Sequence, residues 1–160
     1  MLMKVSDMNA SGNESLIVAT AEWSALPGSR ASTVPEGAVV LPKRGAAIAT
    51  NKKRVLARPA VLDPNLMGVL PDPEALTTQY LFAWFQQFDL RSITSGSSVP
   101  QLNKQDLAPL RIPVPTLRDQ DAFGVLVEKA NRVRAGLGER QARLAALGRT
   151  LAGQAFSGGL

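Results

Sequence analysis

From Thr116 to about Phe156 the sequence carries no proline, and its apolar residues recur with a helical period. Leu126, Ala130, Val133, Leu137, Arg140, Leu144, Leu147 and Leu151 follow each other at steps of 4, 3, 4, 3, 4, 3 and 4. That is an a/d heptad seam with one charged place, Arg140. Thr116-Leu-Arg-Asp119 opens it as a capping-box-like start, with Asp in place of Glu. At ~1.5 Å per residue the helix would span roughly 55 Å. Gly124, Gly136, Gly138 and Gly148 each cost about 1 kcal/mol relative to Ala, so a lone helix should fray. It needs a partner helix, and the sequence offers no second one of similar length. The spacing therefore points to an intermolecular coiled coil. Arg140 would set register or pairing, or snorkel to solvent. Ser157-Gly158-Gly159 ends the pattern.

The rest of the chain has a different composition, and the change falls near residue 115. Short apolar runs there are broken by Gly, Pro, Asn and Ser, which predicts mixed α and β structure. Leu16 to Thr20 is a β-rich run. Pro35-Glu36-Gly37 predicts a turn, followed by a buried strand at Ala38 to Leu41. Arg54 to Leu62 reads as another strand, with Pro59 marking an edge or a break. Asp72-Pro73-Glu74 has the form of a helix start, and the helix should run from about Glu74 to Phe88. It holds Tyr80, Phe82, Trp84, Phe85 and Phe88, five of eight aromatics in the chain, so more than one face must be buried. Asn103 to Asp106 has the spacing of a short capped turn. Arg111-Ile-Pro-Val-Pro115 should be extended. The fold class is thus an α/β (mixed α+β) domain at 1–115 followed by a long helix at 116–160.

Two absences narrow the chemistry. The chain has no cysteine and no histidine, which excludes thiolate and imidazole zinc sites and the Ser-His-Asp and Cys-His triads. Asp7, Glu14, Glu22, Asp63, Asp72 and Asp106 are scattered, with no spacing that pairs two as general acid and base. No phosphate-cradling glycine motif is present. Met1 to Ala10 lacks the apolar run of a signal peptide, and no stretch approaches the ~18 apolar residues of a membrane span. The expectation is a cytoplasmic binding protein without catalytic or metal-binding function.

The formal net charge is +5, which suits a polyanionic partner. Six cations lie between Val40 and Val61 without an acidic residue: Lys43, Arg44, Lys52, Lys53, Arg54 and Arg58. Such a set suits phosphates and base edges, with Asn51 available to adenine. A run of cations is equally often a solvated face. Ser95-Gly96-Ser97-Ser98 offers hydroxyls and free amides that can approach a sugar-phosphate backbone, or is simply a linker, and Arg91 stands just before it. The aromatic cluster around Trp84 fits a core helix better than a base-stacking platform.

One stretch is more specific. Gly96-Ser-Ser-Val-Pro-Gln-Leu-Asn-Lys-Gln-Asp-Leu107, then Leu110-Arg-Ile-Pro-Val-Pro115 and Gln120, resembles the end of a target-recognition domain. The family is the DNA specificity subunits of type I restriction–modification systems. Lys4-Val-Ser-Asp7-Met8 looks like that family's early strand and the Asp-Met after it. Pro35 to Leu41 looks like its turn into a central strand, and Tyr80-Leu81-Phe82 like its Tyr-Leu-rich helix. The helix ending Ala155-Phe156-Ser157-Gly158 resembles the one that closes each half of these proteins.

The resemblance implies a non-catalytic subunit that reads double-stranded DNA. In the family, two recognition domains each read half of a split site, and two long helices pair antiparallel as a spacer. Partner subunits supply adenine-N6 methylation with S-adenosylmethionine, and a restriction subunit supplies ATP- and Mg2+-dependent cleavage, so no cofactor is expected on this chain. One domain and one helix are present here, and the family's preceding N-terminal segment is missing. The resemblance thus implies a half-subunit that homodimerises, or a fragment that pairs with another specificity fragment through the helix. The competing reading is a truncated remnant whose helix is a coiled-coil interaction module without DNA binding.

Overall fold

The computed structural model describes residues 1–24, 33–94 and 99–156. The chain forms two compact units, Met1–Asp121 and Ala122–Leu160. In the first, β1 (Leu2–Met3), β2 (Leu16–Ile17), β3 (Thr33–Val34), β4 (Val39–Pro42), β5 (Arg54–Leu56), β6 (Ala60–Leu62) and β7 (Leu66–Val69) build two small mixed sheets. One has the order β1-β6-β3 and the other β2-β5-β4-β7. β1 runs parallel to β6 and β2 parallel to β5, while β4 is antiparallel to both β5 and β7. The helices are α1 (Ala46–Ala49), α2 (Thr78–Gln87), α3 (Lys104–Leu107) and α4 (Leu117–Phe156). The mixed sheets and the long last helix match the expected fold class.

β4 is the centre of the unit. Its four residues are all buried, and the period of two sends Val40 to one face and Val39 and Leu41 to the other. Val40 joins Met3, Met8, Ile17, Leu56 and Leu62 in one apolar cluster. Val39 and Leu41 join Ile48, Leu81, Phe85, Leu90 and Leu102 in a second. Gly37 makes the turn into β4. Its φ of 80° is in the left-handed region, and an added Cβ would lie 3.1 Å from the Thr78 hydroxyl. At Gly68, on β7, a Cβ would come within 2.7 Å of Val34, so glycine alone lets those strands approach.

Several expectations need correction. The aromatic helix begins at Thr78, not Glu74. Asp72 does cap a turn, accepting the Glu74 amide at 3.1 Å, but Thr77 is extended, and its hydroxyl then caps Tyr80 at 3.2 Å. Lys4 to Ser6 is not strand. Leu2–Met3 is the strand, and Val5–Asn9 is a 3-10 turn closed by the Asp7 carboxylate on the Lys4 amide at 2.7 Å. The run from Leu16 keeps only two residues as strand, because Asn13 takes the next positions: its Oδ1 accepts from Val18 and its Nδ2 donates to Ala19. Arg54 to Leu62 is two strands in different sheets, with the break at Ala57–Pro59. Trp84 stacks on Phe88 at 5.0 Å and meets Phe85 edge-on, which is packing geometry.

α4 begins in the first unit. Thr116 Oγ1 accepts the Asp119 amide at 3.3 Å and donates to the Asp119 carboxylate at 2.7 Å, so the side-chain cap forms while the carboxylate meets the hydroxyl rather than the Thr116 amide of a full capping box. Gln120 is fully buried and holds this first turn: Oε1 accepts from the Thr77 amide at 2.8 Å, and Nε2 donates to Ala75 and Pro115 carbonyls at 2.9 Å each. That anchoring ties the first turn of α4 to the first unit, which runs to Asp121. In the second unit the described residues form one continuous helix. Its seam side chains are exposed, from 50% at Leu151 to 70% at Leu144.

Candidate nucleic-acid interface

The segment after β4 is where the sequence-predicted cations separate. Lys43 and Arg44 leave β4, and their backbone pairs with the chain beyond residue 98. Gly45 donates to Pro100 at 2.8 Å, Leu102 donates to Lys43 at 2.9 Å, and Arg44 bridges Gln101. α1 follows and packs against the 3-10 turn Leu90–Ile93. Both flanks of residues 95–98 are therefore held by residues 43–49. Ser95, Gly96, Ser97 and Ser98 themselves lie outside the described residues.

Arg44 is exposed and Lys43 half-buried. Lys52 is half-buried, and its ammonium donates to Asn9 Oδ1. With Asn9, Val5 and Met8 on one side and Ala46, Ala47 and Thr50 on the other, it lines a cleft of about 270 Å³ beside α1. Arg58 is exposed in the break between β5 and β6.

Three expected contact residues are engaged within the chain: Lys53 is buried, and Asn51 and Arg54 are half-buried. Lys53 is 1% exposed, and its ammonium donates to Asn51 Oδ1 at 2.8 Å and to the Phe88 carbonyl at 2.6 Å. Burial pushes its pKa down to about 8, and only the more distant Asp89 carboxylate opposes that. Asn51 sits at φ 52°, and the same Oδ1 also accepts the Leu90 amide at 2.9 Å, so that oxygen is fully engaged. Arg54 gives Nη1 to the Lys53 carbonyl at 2.8 Å and Nη2 to the Met8 carbonyl at 2.9 Å. These three side chains tie turns together, Lys53 as a buried brace and not a surface contact, Asn51 and Arg54 as half-buried ones. A cation run looks uniform in sequence, but each side chain here follows its acceptor, Lys53 to the Phe88 carbonyl and Arg54 to the Lys53 and Met8 carbonyls.

Arg91 is exposed and paired with Asp89, a residue that the sequence reading passed over. Nη2 lies 2.7 Å from Oδ2 and Nε 2.9 Å from Oδ1. The hydrogen bonds from Arg91 hold the Asp89 carboxyl at about 2. The signal was available: Asp89 stands immediately before an apolar residue after a helix end, as a cap does, with Arg two residues on.

Among the described residues no group of acids and imidazoles or thiols is placed to hold a metal ion. No described helix is long and apolar enough to cross a membrane.

No protein-family model and no curated protein sequence matches this chain. A solved chain with a similar fold comes from work on the structural basis of complex assembly and conformational transition of the type I R-M system. It is 20% identical, with a TM-score of 0.63 over 78% of the present chain. The chain spans 30% of that neighbour's length. At that identity the likeness is one of fold: the present chain shares its architecture with part of a chain of a type I restriction–modification complex.

Proposed function

We propose that this chain is a DNA-recognition subunit, or half-subunit, of a type I restriction–modification system. The carrying observation is the fold shared with a chain of such a complex over 78% of the present chain. The exposed cations Arg44 and Arg91 support it. Both lie on chain segments next to residues 95–98 in sequence or paired with the residues that follow them, where a duplex backbone can lie along them. In this reading the chain contributes recognition and spacing but no catalysis. Modification subunits methylate adenine N6 with S-adenosylmethionine, and a restriction subunit cleaves. The exposed seam of α4 pairs with a second copy or with another specificity fragment. A homodimer would read an inverted, bipartite site.

The test is titration of a random-sequence duplex with the full chain at several salt concentrations, followed by selection from a randomised pool. Binding that falls steeply with salt, together with two enriched half-sites at fixed spacing, is expected. A folded chain that binds no duplex at low salt would leave the coiled-coil interaction module as the surviving reading.

A further inference from the structure

Arg91 differs from the other exposed cations because its guanidinium is already held in a plane. Asp89 accepts Nε at 2.9 and 3.0 Å and Nη2 at 2.7 Å, and the same carboxylate accepts the Arg91 amide at 3.0 Å. That engages two of the five guanidinium protons. Both protons of Nη1 and one of Nη2 are left, and among the described residues none accepts from Nη1. The side chain is 63% exposed.

The platform beneath it is fixed as well. Leu90 is fully buried and donates its amide to Asn51 Oδ1, Lys53 donates to the Phe88 carbonyl, and Ser92 donates its amide to the Asp89 carbonyl at 3.1 Å. The free edge of the guanidinium can take a phosphate bidentately. Two N–H groups side by side in a fixed plane match the O6 and N7 acceptors of guanine in the major groove. Fixing the fork beforehand reduces the ordering cost at the moment of contact.

We propose that Arg91, buttressed by Asp89 on the turn braced by Asn51 and Lys53, reads a single guanine of the target. The inference rests on the DNA-binding reading above and names the residue and the base edge within it.

The experiment is selection from a randomised 30-base-pair duplex pool with the full chain, its Arg91→Ala variant and its Asp89→Asn variant, each shown folded by circular dichroism. Arg91→Ala should release one guanine position, with a loss of discrimination of roughly 5- to 150-fold there and little change elsewhere. Placing 7-deazaguanine at that position should weaken the wild type and leave Arg91→Ala unaffected. Asp89→Asn should blunt the same position in the wild type and change nothing in the Arg91→Ala background. If Arg91→Ala instead weakens every sequence alike and lowers the salt slope by about one, Arg91 is a phosphate contact; this proposal fails and DNA binding stands. An unchanged consensus in Arg91→Ala also overturns it. No enrichment by the folded wild type overturns both.

Discussion

The side-chain oxygen of Gln120 accepts the backbone amide of Thr77 at 2.8 Å, across 43 residues of sequence. Thr77 is the cap of α2 and Gln120 lies in the first turn of α4, so one amide group joins two helix starts. Gln120 is fully buried, while the groups it satisfies belong to the half-buried Thr77 and Pro115 and the exposed Ala75. Gln120→Leu should therefore destabilise the first unit by about 1–3 kcal/mol, the cost of leaving one polar group unpaired. Urea unfolding measures this, and a loss below ~0.5 kcal/mol would contradict the anchoring role. Gln120→Glu should be no better, since it keeps the acceptor for Thr77 but points an oxygen at the Ala75 and Pro115 carbonyls.

Lys53 makes stability depend on pH at the alkaline end. Its folded pKa is lowered to about 8, while in the unfolded chain it holds its proton to about 10.5. Between these values the unfolded state binds more protons, so the contribution of Lys53 to stability rises with pH across that window. Below about 8 both states are charged and the contribution is flat. The difference in unfolding free energy between wild type and Lys53→Met, followed from pH 7 to 10.5, should change in that window. A difference independent of pH would show that the ammonium is not buried as described.

Asp89 acts at the acid end. The Arg91 hydrogen bonds hold its carboxyl at about 2 against an ordinary 3.8. The stabilisation it gives is complete above the ordinary value and is lost as pH falls through about 2. Carboxyl-carbon NMR titration should place Asp89 near 2, and Arg91→Ala should return it toward 3.8.

The corrected assignment of the cations separates in a salt titration of DNA affinity. Arg44→Ala removes an exposed charge and should lower the slope by about one. Lys53→Met should leave the slope unchanged, because its ammonium is spent on Asn51 and Phe88. Equal effects from both would place Lys53 at the surface after all.

The seam of α4 has its own test. Leu137 is 58% exposed, so Leu137→Asp removes no packing within the chain. Light scattering should give a multiple of 17.0 kDa for the wild type and a smaller mass for the variant. Equal masses would remove the seam as a pairing surface.

Legibility in the sequence followed the strength of the local signal. The long helix, its Thr116 cap, the Gly37 turn and the buried strand at 38–41 were readable because periodicity and turn chemistry act over a few residues. The start of α2 was not readable: Asp72-Pro73 is a good cap, but the tertiary bonds at Thr77 decide where the helix begins. The site divided in the same way. Arg44 and Arg91 sit at the surface as their charge suggests. Lys53 and Arg54 do not, because their acceptors are the Phe88 and Met8 carbonyls, 35 and 46 residues away in sequence, which no local pattern announces.

β4 passes between both apolar clusters, with Val40 on one side and Val39 and Leu41 on the other. A lineage of such chains has little room to vary there, since a change on either face disturbs a packed cluster. Under the proposed DNA-recognition role, a change of target would fall in the connections, at positions such as Arg44 and Arg91 whose replacement leaves both cores intact. One scaffold would in that case be retargeted by exchanging a few surface side chains.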